Sequence, residues 1–192
     1  TNIKNNYLEK IQIKKGKIIL DTKDKREIKV AVGLGIEVNP YEIKDGELMA
    51  SEDNLLLIDS NGTLKLPESV EVIGEGAFAN TASDGIILKK VIIPSTVRPN
   101  AFNGNNQIEE IVIETKNGKG VTKIGDFAFA SCTKLKIIEL PDTVMTVGKN
   151  SFTNCISLQN VKLSKNIKEI SYEMFKSCKE IKEIEIPEGV TA

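Results

Sequence analysis

The feature that most constrains the fold of this chain is an internal repeat of 23 residues. The segment "LPDTVMTVGKNSFTNCISLQNVK" (140–162) is followed at once by "LSKNIKEISYEMFKSCKEIKEIE" (163–185), and the two align without a gap. A unit of this size cannot bury its own apolar side, so consecutive units must stack and share one core. The aromatic residues that recur with this period are Phe129, Phe152 and Phe175.

The same frame extends toward the N-terminus with defined irregularities. "LPESVEVIGEGAF" (66–78) fits the repeat and is followed by four extra residues, whereas "IPSTVRPNAF" (93–102) lacks three residues. A further four residues are inserted in "ETKNGKG" (114–120), and "IPEGV" (186–190) begins a new unit.

These boundaries predict two regions. Residues 66–192 form five units of about 23 residues and a truncated sixth. Residues 1–65 form a β-rich N-terminal region that packs on the first unit and caps its edge. Because the chain starts at Thr1 and ends within a unit, we expect it to be a piece of a longer protein.

The consensus of the units is L-x-x-I-x-I-P-x-x-V-x-x-I-G-x-x-A-F-x-x-C. Its first part ends in apolar alternation, which is typical of a short strand. The proline closes that strand and begins a turn. The period and the L-x-x-I-x-I pattern predict a right-handed leucine-rich repeat solenoid. A parallel sheet lines its concave face, and loops and short helical turns around each Phe form its convex face.

Composition and charge exclude several function classes. The formal net charge is −1, so the chain has no basic excess for binding nucleic acid or an anionic membrane. It contains no His, which removes the commonest general base and the commonest zinc ligand. No apolar run is long enough to span a bilayer. We therefore expect no cofactor, no metal and no membrane insertion within this chain, while catalysis by carboxylate or lysine side chains stays possible in principle.

The three cysteines, at positions 132, 155 and 178, follow the repeat period. Stacked equivalent positions lie about 4.8 Å apart, which does not by itself exclude a disulfide. A structural zinc site needs four ligands in a tetrahedral array, which three residues in a row do not supply. The alternatives are inert buried thiols, one disulfide, or a metal site, and the even spacing favours inert thiols in one column.

The signature I-P-x-x-V-x-x-I-G-x-x-A-F-x-x-C resembles the BspA-type leucine-rich repeats over residues 66–190. The stretch 39–67 resembles the N-x-x-Y-x-x-x-D-G-x-L hairpin that often accompanies them, and Asn61-Gly62 within it reads as a hairpin turn. The resemblance implies a secreted or surface-anchored bacterial protein whose repeats bind proteins or cells, with no catalytic residues in the repeats.

Partner binding is expected on the concave face, where the x positions of L-x-x-I-x-I point away from the core. The alternative is a solvated sheet face that binds no partner and whose charged side chains pair with one another. Ile92, Val112 and Ile137 form a candidate apolar patch on this face, and the insertions 80–86 and 114–120 are further candidates. The fifteen candidate residues are Lys89, Lys90, Ile92, Glu109, Glu110, Val112, Lys136, Ile137, Glu139, Gln159, Asn160, Lys162, Lys182, Glu183 and Glu185.

The expected function is therefore a non-catalytic protein-protein or cell-surface interaction module, part of an extracellular, adhesin-like protein. Its partner is expected to be a host, matrix or cell-surface protein. Two alternatives stay open: a recognition domain attached to a cell-wall hydrolase or peptidase outside this chain, and a structural stalk.

Overall fold

The computed structural model describes residues 11–14, 17–20, 37–38, 43–50, 52–66, 70–81, 87–93, 96–116 and 119–191. In the N-terminal part, the first and second strands pair antiparallel and the second pairs parallel with the third. Most of the prediction for residues 1–38 lies outside the described residues. The three strands are β1 (Ile11–Lys14), β2 (Lys17–Leu20) and β3 (Glu37–Val38).

A tight hairpin joins the next two strands, β4 (Ile43–Lys44) and β5 (Glu47–Leu48). Asp45 and Gly46 form its turn with φ of 51° and 79°, the left-handed values that a two-residue hairpin turn requires. β5 then pairs parallel with Val72–Ile73, the strand that follows the proline position of the first unit, so the hairpin joins the sheet of the repeats directly.

The repeats form two stacks of short parallel strands, one before and one after the proline position of each unit. We call the stack before the proline the strand face and the other the lateral sheet. The strand face contains β6 (Thr63–Leu64), β8 (Lys90–Ile93), β10 (Glu110–Ile113), β14 (Ile137–Glu139) and β16 (Asn160–Lys162). The lateral sheet contains β4, β5, β7 (Val72–Ile73), β9 (Thr96–Val97), β13 (Lys123–Ile124) and β15 (Thr146–Val147).

Two further features lie outside these stacks. A 3-10 helix spans Glu52–Leu57, ahead of β6. The insertion at 114–120 forms an antiparallel hairpin of β11 (Thr115–Lys116) and β12 (Lys119–Gly120). The predicted hairpin turn at Asn61-Gly62 is confirmed, since the amide of Gly62 donates to the carbonyl of Asp59 at 2.9 Å.

A column of phenylalanines fills the core behind the strands. Phe78, Phe102, Phe129, Phe152 and Phe175 stack with ring centroids 5.3 to 5.6 Å apart. The first four rings are fully buried, and the fifth is half-buried. The predicted solenoid with one shared core is confirmed.

The segments around these rings, which we call the Phe turns, are turns, and the short helical turns that the sequence suggested there are not confirmed. Each has a left-handed residue two positions before and two positions after the Phe, as Asn100 and Gly104 do around Phe102. Left-handed residues interrupt a right-handed helix, so the chain curls around the ring. Backbone bonds then join neighbouring Phe turns; for example, the amide of Phe102 donates to the carbonyl of Ala128 at 2.8 Å.

Candidate functional site

Of the fifteen residues that the sequence assigned to partner binding, twelve lie on the strand face or directly beside its strands, whereas Lys182, Glu183 and Glu185 lie in the last unit, beyond β16. Twelve of the fifteen are exposed, and Lys90, Ile92 and Val112 are half-buried. The alternation that separates them from the core is clear in β8, where Val91 and Ile93 are buried.

Strand register sets which of these side chains are neighbours. Glu110 lies opposite Lys90, and Val112 lies opposite Ile92. Farther along the solenoid, Ile137 lies opposite Asn160 and Glu139 opposite Lys162.

Charge on this face is only partly self-paired. Lys90 and Glu110 form an ion pair with an Nζ–Oε1 distance of 2.8 Å, and both side chains remain well exposed to water. Such exposed pairs contribute little to stability. Among the described residues, the facing charges of Glu139 and Lys162 form no ion pair within 4.0 Å.

The strand face is interrupted between β10 and β14. β6, β8 and β10 form one hydrogen-bonded group and β14 and β16 another, and no ladder joins the two groups. We call this junction the seam. It falls where the β11–β12 hairpin is inserted, and an open groove of about 930 Å³ lies over it. The groove is lined by Glu109, Glu110, Ile111, Val112, Ile113, Lys134, Lys136, Ile137, Glu139 and Ser157.

The Phe turns stay closed at the same junction. The amides of Asn100, Phe102 and Gly104 donate to the carbonyls of the next coil at 2.8 to 2.9 Å, as they do at other junctions. In the lateral sheet, Ile124 pairs with Val97. Backbone hydrogen bonds in the Phe turns and in the lateral sheet therefore hold the two halves of the strand face together.

The predicted strand in the last unit is absent from the structure. Residues 181–187, which include Lys182, Glu183 and Glu185, form no strand and pair with no part of β16. The lateral sheet likewise ends at β15. There Ser171 holds the position of the repeat glycine, and its hydroxyl donates to the carbonyl of Val147 in place of a backbone ladder.

The three cysteines are free, and their positions follow the coils. Cys132 and Cys155 are buried and Cys178 is half-buried. The thiols of Cys155 and Cys178 donate to the carbonyls of Phe129 and Phe152, with Sγ–O distances of 3.2 and 3.1 Å. Cys132 makes the corresponding contact to Phe102 at 3.7 Å.

Burial sets the acidity of these thiols. It raises the pKa of Cys132 above the ordinary value, because the thiolate would lose its hydration. The pKa of Cys155 is raised by its hydrogen bond with Cys178 and by burial. Within the described part of the chain, no three His, Cys, Asp or Glu side chains come together as metal ligands.

Earlier coils use other polar residues at the cysteine position. The side-chain amide of Asn105 donates to the carbonyl of Phe78 at 2.5 Å and to that of Phe102 at 3.0 Å. Thr81, in the coil before, donates its backbone amide to Asn105 at 3.1 Å. The position therefore holds small polar side chains: Asn105 and the cysteines reach the carbonyl of a Phe turn, and Thr81 bonds to Asn105 instead.

Sequence reasoning missed the seam and four of the residues that line its groove. Ile111, Ile113, Lys134 and Ser157 line the groove but were not among the candidates. The only signal was the insertion at 114–120, which predicts a loop but not a broken ladder. Of the candidate loops, residues 82–86 lie outside the described residues.

A family model for the BspA type leucine rich repeat region matches residues 57–119 and 95–192, with six copies. The chain belongs to the BspA-type leucine-rich repeat family. The match begins at residue 57, ahead of the predicted first unit at 66, in agreement with the parallel pairing of β6 with β8.

Solved structures of bacterial leucine-rich repeat proteins are similar to this BspA-type chain. A Treponema pallidum leucine-rich repeat protein has a TM-score of 0.56 at 21% identity, over 79% of this chain and 81% of the other. A protein from Eubacterium ventriosum has a TM-score of 0.55 at 16% identity, over 81% of this chain and 49% of the other. At these identities the likeness shows the fold alone.

A leucine-rich cell surface protein of Faecalibacterium prausnitzii is 28% identical over 67% of this chain, with a TM-score of 0.43. This chain spans 42% of that protein and 46% of a similar Bacteroides ovatus protein. None of the curated proteins compared with the chain matches it. In the described residues, no helix has the length and apolar character needed to cross a membrane.

Proposed function

We propose that this BspA-type chain is a non-catalytic protein-binding module of a secreted or surface-anchored bacterial protein, and that it binds through the strand face. The observation that carries the proposal is the exposed charge on that face. Six charged side chains on or directly beside its strands are exposed, at positions 89, 109, 110, 136, 139 and 162, and Lys90 with Glu110 is the one ion pair among the candidate residues, all of which the structure describes.

If the charges of the strand face paired with one another, oppositely charged register partners on neighbouring strands would form ion pairs. Glu139 and Lys162 are register partners and exposed, yet their charges stay apart. Ile137, two residues before Glu139 on β14, presents half of its surface to solvent. Exposed apolar surface rimmed by unpaired charge is typical of a protein-binding site.

The names of similar proteins support the location. The Faecalibacterium prausnitzii protein is described as a leucine-rich cell surface protein, and another similar structure is the pneumococcal vaccine antigen PcpA. An extracellular partner, such as a matrix or host-cell protein, would then meet the strand face directly.

Binding of the purified chain to immobilised extracellular-matrix proteins and to whole cells tests the proposal. We expect saturable binding to at least one of these surfaces. Replacing Lys136, Glu139 and Lys162 with Ala should weaken it without changing the melting temperature, because exposed charges contribute little to stability. Unchanged binding by that variant would exclude the strand face as the site.

A further inference from the structure

The seam between β10 and β14 leaves two strand edges with unpaired backbone groups. In a parallel sheet, alternate residues direct their N–H and C=O groups to opposite neighbours. The amides of Glu110 and Glu114 donate to the coil of β8, at 3.1 and 2.9 Å. The backbone groups of Ile111 and Ile113 therefore face β14.

The edge of β14 that faces β10 also carries unpaired backbone groups. The amide of Leu140 donates to the carbonyl of Lys162 at 2.8 Å, so Ile138 and Leu140 are the residues that pair with β16. Ile137 and Glu139 then direct their N–H and C=O groups toward β10. The described residues supply no backbone partner for either edge.

An extended polypeptide is the one common ligand that matches such edges. It offers N–H and C=O groups at the same two-residue spacing, to both sides at once. Unpaired strand edges recruit other strands for this reason. We propose that the seam accepts one extended segment of the protein partner, which adds a strand between β10 and β14.

The side chains around the seam define the chemistry of that segment. Ile111 is buried beneath the groove, so alternate side chains of the segment must be apolar. On the outer side, Lys134 and Lys136 lie toward the start of β14 and Glu139 at its end. A segment with one acidic and one basic side chain complements these charges.

β10 and β14 lie side by side, with Cα atoms within 8 Å of each other, so an inserted strand must push them apart to two strand spacings, roughly 9–10 Å. The Phe turns behind the seam stay bonded, so the solenoid can open there as a hinge. The stacked pair Phe102 and Phe129 marks the axis of that hinge. This inference rests on the proposed function, because it names the kind of partner segment that the strand face receives.

The probe is a fluorescent peptide, LEIIKLP, which copies the strand of residues 135–141 with its Lys and Glu exchanged, so that its charges complement those of β14 in a parallel sheet. We expect its anisotropy to rise to saturation with the full chain. Ile137→Pro should bind the peptide at least tenfold more weakly than Ile137→Ala, since both variants lack the Ile side chain and only the first lacks the N–H. Circular dichroism of both variants checks that they fold.

A second control does not depend on any variant. The same peptide, N-methylated at its Lys and Glu, keeps every side chain and loses two donors. It should bind the wild-type chain at least tenfold more weakly. Equal binding of both peptides, equal binding by the Pro and Ala variants, or no anisotropy change at millimolar peptide would overturn the inference. If cells or matrix proteins still bind the chain in that case, the proposed function stands and the seam is not the site.

Discussion

The phenyl rings of Phe102 and Phe129 stack with centroids 5.3 Å apart and planes 5° from parallel. They do so at the junction where the strands in front of them are unpaired. The Phe column therefore holds neighbouring coils together independently of the strand face.

Phe129 has a stacked ring on both sides, as Phe102 and Phe152 do, and its removal should cost more stability than removal of the last ring of the column. We expect Phe129→Ala to lower the free energy of unfolding by about 3–5 kcal/mol, from lost transfer energy and the cavity left behind. Phe175→Ala should cost less, because that ring is half-buried and stacks with Phe152 on one side. Urea unfolding measures the free energy of unfolding of both variants. Equal losses of free energy would mean that an inner ring of the Phe column contributes no more to stability than the last ring.

The repeat glycine permits close approach of one coil to the next. A Cβ at Gly148 would lie 2.4 Å from the amide nitrogen of Asp126. Gly148→Ala should therefore destabilise the fold by about 1–3 kcal/mol through overpacking.

Arg98 is the matched control, because it holds the same repeat position and already carries a side chain. Arg98→Ala removes only an exposed ion pair with Glu47, and should cost at most about 1 kcal/mol. Thermal melts compare the two variants. A neutral Gly148→Ala would mean that the coils are farther apart than described.

The buried thiol of Cys132 predicts a loss of stability in alkali. Burial raises the pKa of the folded thiol above the unfolded value of 9.0, so above about pH 9 the unfolded chain releases a proton that the folded chain keeps. Stability from this group is complete below that pH and falls by up to about 1.4 kcal/mol per pH unit above it.

The Cys132→Ala variant lacks this pH-dependent contribution to the free energy of unfolding. From pH 8 to pH 9, the difference in free energy of unfolding between wild type and variant should stay constant. From pH 9 to pH 10, it should shrink by up to about 1.4 kcal/mol. Urea titrations at each pH measure it. Parallel curves across the range would show that the thiol is not buried.

The seam predicts a pattern of amide exchange along β14. Ile138 donates to β16 and should exchange slowly, whereas Ile137 and Glu139 face the seam and should exchange quickly. Hydrogen exchange followed by NMR resolves the three amides. Equally slow exchange would mean that β10 and β14 are paired in solution.

The period of 23 residues was sufficient to predict the solenoid, the Phe spine and the even placement of the cysteines. Each follows from stacking identical units, so one aligned pair of repeats determines the rest. The strand partners Glu110 and Lys90 follow from the same alignment.

The departures from the period could not be predicted in this way. The insertion at 114–120 coincides with a broken ladder between strands whose own sequences, around Ile111 and Ile138, match the consensus. The Phe turns were predicted as helical, but left-handed residues such as Asn150 and Asn154 interrupt the helix. Asn adopts the left-handed conformation more readily than most residues, but Phe127 and Glu173 hold the position equivalent to Asn150 in other units and carry no such signal.

Two matched variants test the central claim that the strand face binds a protein partner. One replaces Glu109, Lys136, Glu139 and Lys162 with Ala. The other replaces Glu71, Lys123, Lys168 and Glu169 with Ala; these residues are exposed and lie at or directly beside the lateral-sheet position of their units, and each set removes two positive and two negative charges. Binding to the matrix protein or cells that retain the wild-type chain is measured by surface plasmon resonance or flow cytometry. The account predicts at least tenfold weaker binding by the first variant and wild-type binding by the second; the reverse order would contradict it.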